Sequence, residues 1–260
     1  MSNNRDFCSN LYNSKTKLRA VSFDCDSTLA KIDGIVRLAR AKGIEKQIEK
    51  MTEALVSKAL LSSDLYGERF RLVSPSQSNI EALGATYYTE RTKNVAEVIS
   101  LLSRLGKEIY IVSAGILPAV RNFAAYLGVK KENVYAVDIR YDSSGKYLSF
   151  DESSPLPNNT GKRKIIAPLV EKWGTVAHIG DGSNDIVVKD LVTRFIGYGG
   201  VSLREEVCSA SDFFIYTEDL AQVLPFLLTS EEAMGLKGKS FELYRHGYNS
   251  LVMNDLKRGR

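Results

Sequence analysis

The chain has 260 residues, of which 44% are hydrophobic, and 35 Lys and Arg residues against 31 Asp and Glu residues give it a formal net charge of +4. This length is sufficient for one large hydrophobic core and a small accessory unit. The basic residues are scattered along the chain, whereas nucleic-acid-binding proteins typically concentrate them, so we expect no nucleic-acid partner. A run of about eighteen apolar residues is absent, so no membrane span is predicted.

The N-terminal segment and the cysteines bear on cellular location. Residues 1–17 are polar and lack the apolar centre of a secretory signal. Cys8, Cys25 and Cys208 are odd in number and lack the spacing of a metal site, which favours a reducing compartment. We therefore expect a cytoplasmic protein in which Cys25 packs as a small apolar residue. The sequence predicts no oligomeric state.

The first predicted strand ends in two carboxylates. A largely apolar run at residues 21–23 is typical of a buried parallel strand, and Asp24 and Asp26 follow it two residues apart. Open α/β sheets bind ligands at the carboxyl edge of their strands, and carboxylate oxygens are ligands that Mg²⁺ prefers. One Asp can attack phosphorus while the other transfers protons, so the pattern favours phosphoryl transfer. The alternative is that both residues only cap the following turn.

The next part of the chain contains helical patterns only, between residues 33 and 88. A helical block inserted directly after the first strand predicts a cap above the site, and the alternative is that these helices flank the sheet. The individual helices are predicted over residues 35–42, 45–61, 64–72 and 75–83.

Strand and helix patterns alternate over residues 94–228, which predicts a parallel α/β sheet, and residues 140–148 are typical of a β-hairpin. Residues 229–260 either pack as an extra helix or mediate self-association. The resulting domain prediction is an α/β core at residues 1–32 and 89–228, a helical cap at residues 33–88, and a C-terminal extension of unknown role at residues 229–260.

Further polar motifs lie at strand ends and at one helix start. The strand predicted over residues 108–112 ends in a small hydroxyl next to residues that let a ligand approach the backbone. A strand over residues 176–179 precedes two more carboxylates, and lysines precede an amphipathic helix over residues 165–172. The residues concerned are Ser113, Ala114, Lys162, Lys164, Asp181, Asn184 and Asp185.

The order Asp, Ser, Lys, Asp along these motifs resembles the four motifs of the haloacid dehalogenase superfamily of phosphatases. Over roughly residues 18–228 the chain is similar to the phosphoserine phosphatase family. This resemblance implies an α/β fold with a Rossmann-like parallel sheet and an inserted helical cap. The segments that match the family, in the family's order, are residues 23–28, 49–52, 67–70, 150–152 and 195–200.

The resemblance and the needs of phosphate-ester chemistry together assign roles to four carboxylates. Asp24 is the expected nucleophile, which forms an aspartyl-phosphate intermediate, and Asp26 acts first as general acid and then as general base. Mg²⁺ is the expected cofactor, bound by Asp24, by the backbone carbonyl of Asp26 and by Asp181. Asp185 is expected to orient a water bound to the metal rather than to bind the metal itself.

The remaining motif residues are expected to bind the phosphoryl group. A hydroxyl, a backbone segment, a lysine and an amide would neutralise and orient its oxygens. Lys164 is the rival of Lys162 for the lysine role, and the family register favours Lys162. The expected phosphate-binding residues are Ser113, Ala114, Lys162 and Asn184.

Substrate recognition is expected in the cap. Arg69 matches a family arginine that contacts the substrate carboxylate, and Asp33 stands where the family has a glutamate that contacts the substrate ammonium. Val56 stands where the family often has Met, and residues 114–116 replace a Gly-Gly-Phe-like segment. These departures indicate a reshaped pocket.

The resemblance therefore implies a Mg²⁺-dependent phosphatase for a small phosphomonoester, with O-phospho-L-serine as the leading substrate. A second hypothesis is a phosphatase or phosphotransferase for another small phosphorylated amino or hydroxy acid. A third, from another class, is a non-catalytic relative that binds a metabolite or a protein.

Overall fold

A computed structural model describes residues 15–57 and 62–257 of the chain, and the side chains of residues 54–57 and 254–257 lie outside this description. Its strands are β1 (Ala20–Phe23), β2 (Glu108–Ile116), β3 (Val134–Val137), β4 (Ile139–Tyr141), β5 (Tyr147–Phe150), β6 (Val176–Gly180), β7 (Arg194–Tyr198) and β8 (Phe213–Ile215). Six of them form one sheet in the order β3-β2-β1-β6-β7-β8, in which every neighbouring pair is parallel. The predicted α/β class with a parallel sheet is therefore confirmed.

Helices flank and cover this sheet. They are α1 (Gly34–Arg40), α2 (Glu45–Ser57), α3 (Ser63–Val73), α4 (Gln77–Thr89), α5 (Val95–Arg104), α6 (Leu117–Tyr126), α7 (Gly161–Trp173), α8 (Ser183–Ile186), α9 (Glu205–Ala210), α10 (Leu224–Leu227), α11 (Ser230–Met234) and α12 (Gly238–Lys257). The last residues of the helix predicted over 45–61 fall outside the described residues. The division of the chain into core, cap and C-terminal extension stays a prediction.

Two elements continue several residues beyond the ends that the sequence pattern predicts. Strand β2 continues to Ile116 instead of ending at Val112, and its pairing with β3 is irregular between these two residues. Helix α4 continues to Thr89 instead of ending near Leu83. Gly84 interrupts its apolar pattern because α6 packs so closely there that an added Cβ would lie 2.8 Å from Asn122.

An aromatic cluster connects α3 to the β-hairpin formed by β4 and β5. The hairpin is antiparallel, as predicted for residues 140–148. Tyr66 packs edge-on against Phe150 with ring centroids 5.1 Å apart, and Phe70 stacks on Tyr147 at 5.9 Å. Helix α3, which lies in the predicted cap, is therefore supported by a segment that follows β3 of the sheet.

The C-terminal helix α12 packs against residues 220–227. Tyr244 and Leu251 on this helix are buried, whereas Met253 is exposed. Asp219 joins this region to the rest of the fold, since its Oδ2 lies 2.7 Å from His246 Nε2 and 2.9 Å from Lys93 Nζ. Its other oxygen, Oδ1, accepts hydrogen bonds from Asn94 Nδ2 and from a backbone N–H.

Replacing Asp219 with Asn should lower the free energy of unfolding by roughly 2 kcal/mol, because the donors around this buried carboxylate lose a charged acceptor. Burial opposes ionisation of Asp219, but the hydrogen bonds from His246, Asn94 and Lys93 hold its pKa below the usual range. A lowered pKa stabilises the fold above the unfolded carboxyl pKa of about 3.9, and this contribution is lost as the pH falls below that value.

Urea unfolding of the wild type and of Asp219→Asn at pH 7 and pH 3 measures both effects. The exposed neighbour Glu218, changed to Gln, is the matched control. An equal difference between wild type and Asp219→Asn at the two pH values would contradict a stabilising role for the ionised carboxylate.

Over residues 15–57 and 62–257, none of the helices combines the length and the apolar character needed to cross a membrane.

Candidate active site

A cavity of about 90 Å³ lies at the carboxyl edge of β1, β2 and β6, below α1 and α3. Most of the residues singled out in the sequence line it, although they come from distant parts of the chain. They are Asp24, Asp26, Asp33, Arg69, Ser113, Ala114, Asp181 and Asn184. The catalytic and binding roles assigned to these residues stay predictions.

Lys162 and Asp185 lie behind the cavity, in contact with Asp24. Lys162 is 1% exposed, and its Nζ lies 3.1 Å from Asp24 Oδ1 and 2.5 Å from Asp185 Oδ1. The rival Lys164 is exposed, because it lies two residues further along α7 and so points to nearly the opposite face of the helix. Burial works against a charge on Lys162, but Asp185 and Asp24 raise its pKa above the usual range, so the ammonium stays charged. The lysine next to the expected nucleophile is therefore Lys162.

Asp185 is held on all sides. Its Oδ1 lies 2.7 Å from His178 Nε2 in addition to Lys162, and its Oδ2 accepts a hydrogen bond from Gly182 N at 2.9 Å. Burial alone would raise its pKa, but Lys162 and His178 hold the pKa below the usual range. His178 contacts Ser22 Oγ at 2.8 Å, which continues this network into β1. Asp185 is therefore an ionised carboxylate whose oxygens are directed to neighbouring donors.

Asp24 and Asp181 face each other across the cavity edge. Asp24 Oδ1 accepts from Cys25 N at 2.7 Å, and Asp181 Oδ1 accepts from Thr28 Oγ1 at 3.1 Å. Arg204 donates to the other oxygen of Asp181 and to its backbone carbonyl. Burial raises the pKa of Asp181 to about 7 and also raises the pKa of Asp24. Positive charge brought into the site would therefore favour the ionised form of both carboxyls.

Among the described residues, Asp24, Asp181 and Asp185 form a group that can hold a metal ion. One carboxylate oxygen of each lies within 4.8 Å of the others, and all three residues are buried. A donor set of carboxylate oxygens fits a hard divalent cation such as Mg²⁺ or Ca²⁺. The positive charge of such an ion would also favour the ionised forms of Asp24 and Asp181. The side chain of Asp26 is not in this group.

Asp26 is anchored by two donors. Its Oδ1 accepts from Tyr87 OH at 2.6 Å and from Gly34 N at 3.0 Å. Burial and the nearby Asp33 raise its pKa well above the usual range, although both hydrogen bonds oppose this. A raised pKa favours the protonated form of the Asp26 carboxyl, and the protonated form can donate a proton. These two hydrogen bonds hold the Asp26 carboxyl in one orientation.

Ser113 and Ala114 present small polar groups on β2. Ser113 Oγ accepts from Gly115 N at 3.0 Å, so its own hydrogen can be donated to a ligand in the cavity. The carbonyl of Ala114 accepts from Tyr66 OH at 2.9 Å. This second hydrogen bond ties α3, above the cavity, to the strand below it.

Asp33 and Arg69 also line the cavity. Asp33 is the N-cap of α1, and its Oδ1 accepts from Ile35 N and Val36 N. Arg69 is only 6% exposed, donates to Thr52 Oγ1 at 2.9 Å and lies 5.4 Å from the ring centre of Tyr66. Its Nε finds no hydrogen-bond partner, and no acidic side chain within the described ranges forms an ion pair with it.

Sequence reasoning missed the residues that hold the predicted ones in place. Thr28 belongs to the first motif and was overlooked as a partner of Asp181. His178 and Tyr87 occur in ordinary strand and helix patterns, and Arg204 in a loop, so no sequence signal marked them. Val56 falls outside the described side chains.

Comparison with known proteins agrees with this fold. A family model described as haloacid dehalogenase-like hydrolase matches residues 18–187. The sequence motifs that resemble this class predicted a parallel sheet with carboxylates, a serine and a lysine near its carboxyl edge, and the structure has this arrangement. The chain belongs to the haloacid dehalogenase-like hydrolases.

Curated relatives narrow this class. The phosphoserine phosphatases of Rattus norvegicus and Homo sapiens are 32% and 31% identical over 198 residues, which cover 75% of this chain and 88% of theirs. The chloroplastic phosphoserine phosphatase of Arabidopsis thaliana is 30% identical and covers 76% of this chain and 69% of its own length. Within the hydrolases, the chain is a member of the phosphoserine phosphatase family. The sequence-based assignment to this family, and to enzymes, is confirmed.

Solved structures share the fold. A phosphoserine phosphohydrolase-like protein from Francisella tularensis superposes with a TM-score of 0.71 at 26% identity, over 80% of this chain and 100% of that one. A substrate-bound phosphoserine phosphatase complex gives a TM-score of 0.72 at 22% identity, over 82% and 100%. The second likeness supports the fold alone.

Proposed function

We propose that this protein hydrolyses O-phospho-L-serine to L-serine and phosphate. The observation that carries the proposal is Arg69, a buried guanidinium on the wall of the cavity that contains Asp24. A buried cation without an acidic partner is unfavourable, and a bound carboxylate would satisfy it through paired N–H donors. A small substrate that carries both a phosphate and a carboxylate would match the groups that line this cavity.

In the proposed reaction, Asp24 attacks phosphorus and forms an aspartyl-phosphate. Lys162 fixes the attacking carboxylate from behind, and Ser113, the Ala114 backbone and Asn184 bind the phosphoryl oxygens. Asp26 gives its proton to the leaving serine oxygen. It then takes a proton from the water that hydrolyses the intermediate.

Mg²⁺ is the proposed cofactor, held by Asp24, Asp181 and the backbone carbonyl of Asp26. When bound, it would neutralise negative charge on the phosphoryl oxygens and lower the barrier to attack. Asp185, whose oxygens already accept hydrogen bonds from protein donors, would orient the site without binding the metal directly. Arg204 would then balance the remaining charge on Asp181.

The proposal includes a cap over the site, formed by residues 33–88, and a cytoplasmic location. The second candidate function is hydrolysis or transfer of phosphate from another small phosphorylated acid. Asp33 supports this second candidate. One of its carboxylate oxygens already caps α1, and its side chain is one methylene shorter than that of Glu, so it is less suited to contact a substrate ammonium. A substrate without an ammonium group would need no partner at this position.

Replacing Arg69 with Ala should lower kcat/KM for phosphoserine by roughly thirty-fold or more, since a charged partner is removed from a desolvated pocket at a cost of about 2–5 kcal/mol. Hydrolysis of p-nitrophenyl phosphate, which has no carboxylate, should change little. Arg71→Ala, an exposed position on the same helix, is the matched control. Phosphate release from both substrates measures the effect.

Asp33→Ala distinguishes the two candidate functions in the same assay. A selective loss on phosphoserine supports recognition of an ammonium group, whereas unchanged selectivity favours an acid without one. Parallel losses of Arg69→Ala on both substrates would mean that Arg69 supports folding or closure, and the proposed substrate would then be wrong.

A further inference from the structure

Tyr87 has no role in the reaction described so far, yet its hydroxyl makes one of the shortest contacts in the cavity. Its OH lies 2.6 Å from Asp26 Oδ1, and its side chain is buried. Tyr87 lies on α4, 61 positions from Asp26 in the chain. The fold therefore brings a tyrosine hydroxyl from a distant helix onto the carboxyl of the expected general acid.

The surrounding elements fix the position of this hydroxyl. The ring of Tyr87 stacks on Phe123 of α6 with centroids 5.8 Å apart. On the other side, a Cβ added to Gly34 would overlap the Tyr87 hydroxyl, so the absence of a side chain there makes room for it. The backbone N–H of Gly34 donates to the same oxygen of Asp26. Helices α1 and α4 thus present two donors to one carboxyl oxygen.

The two oxygens of Asp26 are therefore not equivalent. Oδ1 accepts two hydrogen bonds, and both lone-pair directions of a carboxyl oxygen are then engaged. Oδ2 lies on the side of Gly115, where a Cβ would come within 2.7 Å of it and within 3.1 Å of Ser113 Oγ. Ser113 lines the cavity and is the residue proposed to bind a phosphoryl oxygen. Oδ2 is thus the oxygen directed towards the expected phosphoryl group.

We propose that Tyr87 is a positioning residue, which holds Oδ1 of Asp26 so that Oδ2 carries the transferred proton to the leaving oxygen. This inference rests on the proposed acid role of Asp26 but not on phosphoserine as the substrate. As the bond from Asp24 to phosphorus forms and the bond to the leaving oxygen breaks, the Oδ2 proton passes to that oxygen. The Tyr87 proton stays on the phenol throughout.

The test uses leaving groups of different basicity. An alkoxide leaves only with a proton, whereas p-nitrophenolate leaves readily without one, so misplacing the acid affects alkyl phosphates selectively. The kcat/KM value reports the steps up to release of the alcohol and excludes hydrolysis of the phosphoenzyme. In Tyr87→Phe, we expect kcat/KM to fall about ten-fold or more for phosphoserine and less than about two-fold for p-nitrophenyl phosphate.

Tyr110→Phe is the matched control, since it removes another buried tyrosine hydroxyl, one that accepts from Trp173 Nε1 far from the cavity. Thermal unfolding of each variant separates loss of fold from loss of positioning. Gly34→Ala is a second variant, because its methyl group displaces the Tyr87 hydroxyl and should give the same dependence on leaving group.

Equal losses on alkyl and aryl phosphates, or no loss on either, would overturn the role of Tyr87. If the wild type ignores phosphoserine but hydrolyses another alkyl phosphate, the substrate proposal fails and the same comparison is made with that ester. Inactivity of the wild type towards both ester classes would overturn both proposals.

Discussion

Asp24→Asn is expected to leave the fold intact and to abolish turnover. The amide is a poor nucleophile and a weaker metal ligand than the carboxylate. The fold should survive because Asn has nearly the same size and Lys162 keeps its closer ion pair with Asp185. Phosphate release under saturating substrate and Mg²⁺, together with thermal unfolding, measures both parts of the expectation.

Asp190→Asn is the matched control, since Asp190 is an exposed carboxylate paired with Arg163 at the surface. If Asp24→Asn retained more than about a tenth of wild-type activity, a loss below about 1.4 kcal/mol, covalent catalysis by Asp24 would be wrong.

Lys162→Met should remove activity and also lower the free energy of unfolding by about 3–5 kcal/mol. The substitution leaves Asp24 and Asp185 buried without the cation between them, and an uncompensated buried charge is strongly destabilising. Lys164→Met, at an exposed position on the same helix, should change neither property. Urea unfolding at pH 7 and phosphate release compare the two lysines directly.

The pH dependence gives this prediction a sign. In the wild type, the lowered pKa of Asp185 stabilises the fold above the unfolded carboxyl pKa of about 3.9, and this stabilisation is lost as the pH falls below it. In Lys162→Met the carboxyls become harder to ionise, so lower pH should relieve the destabilisation. The difference in stability between wild type and variant should therefore shrink from pH 7 to pH 4. A constant difference would indicate lost packing rather than lost charge.

Most of the fold could be predicted from the sequence because several strands of the core contain short apolar runs. The run at residues 21–23 and the run at residues 176–179 lie side by side as β1 and β6. The extension of β2 to Ile116 could not be predicted, since it depends on β3 pairing beyond a local irregularity. Helix α4 likewise continues past its predicted end because α6 packs against Gly84.

The cavity shows the same division between local and long-range information. Asp24 and Asp181 could be singled out from the sequence because each belongs to a short motif that directly follows a strand pattern. The donors that orient them, such as Tyr87 and Arg204, come from elements that meet the motifs only after folding. Asp33 illustrates a third case, in which a residue expected to recognise substrate also caps a helix.

The surroundings of Cys25 protect its thiol, which is next to the expected nucleophile, from oxidants in solution. Cys25 lies between Asp24 and Asp26 in the chain, and its side chain is fully buried. Its backbone N–H donates a hydrogen bond to Asp24. Burial and the two neighbouring carboxylates raise the pKa of the Cys25 thiol well above the usual range. Because oxidants and alkylating reagents react with the thiolate, burial and the raised pKa both lower the reactivity of this sulfur. Oxidation of Cys25, and with it a change in charge and size beside the expected nucleophile, is therefore disfavoured.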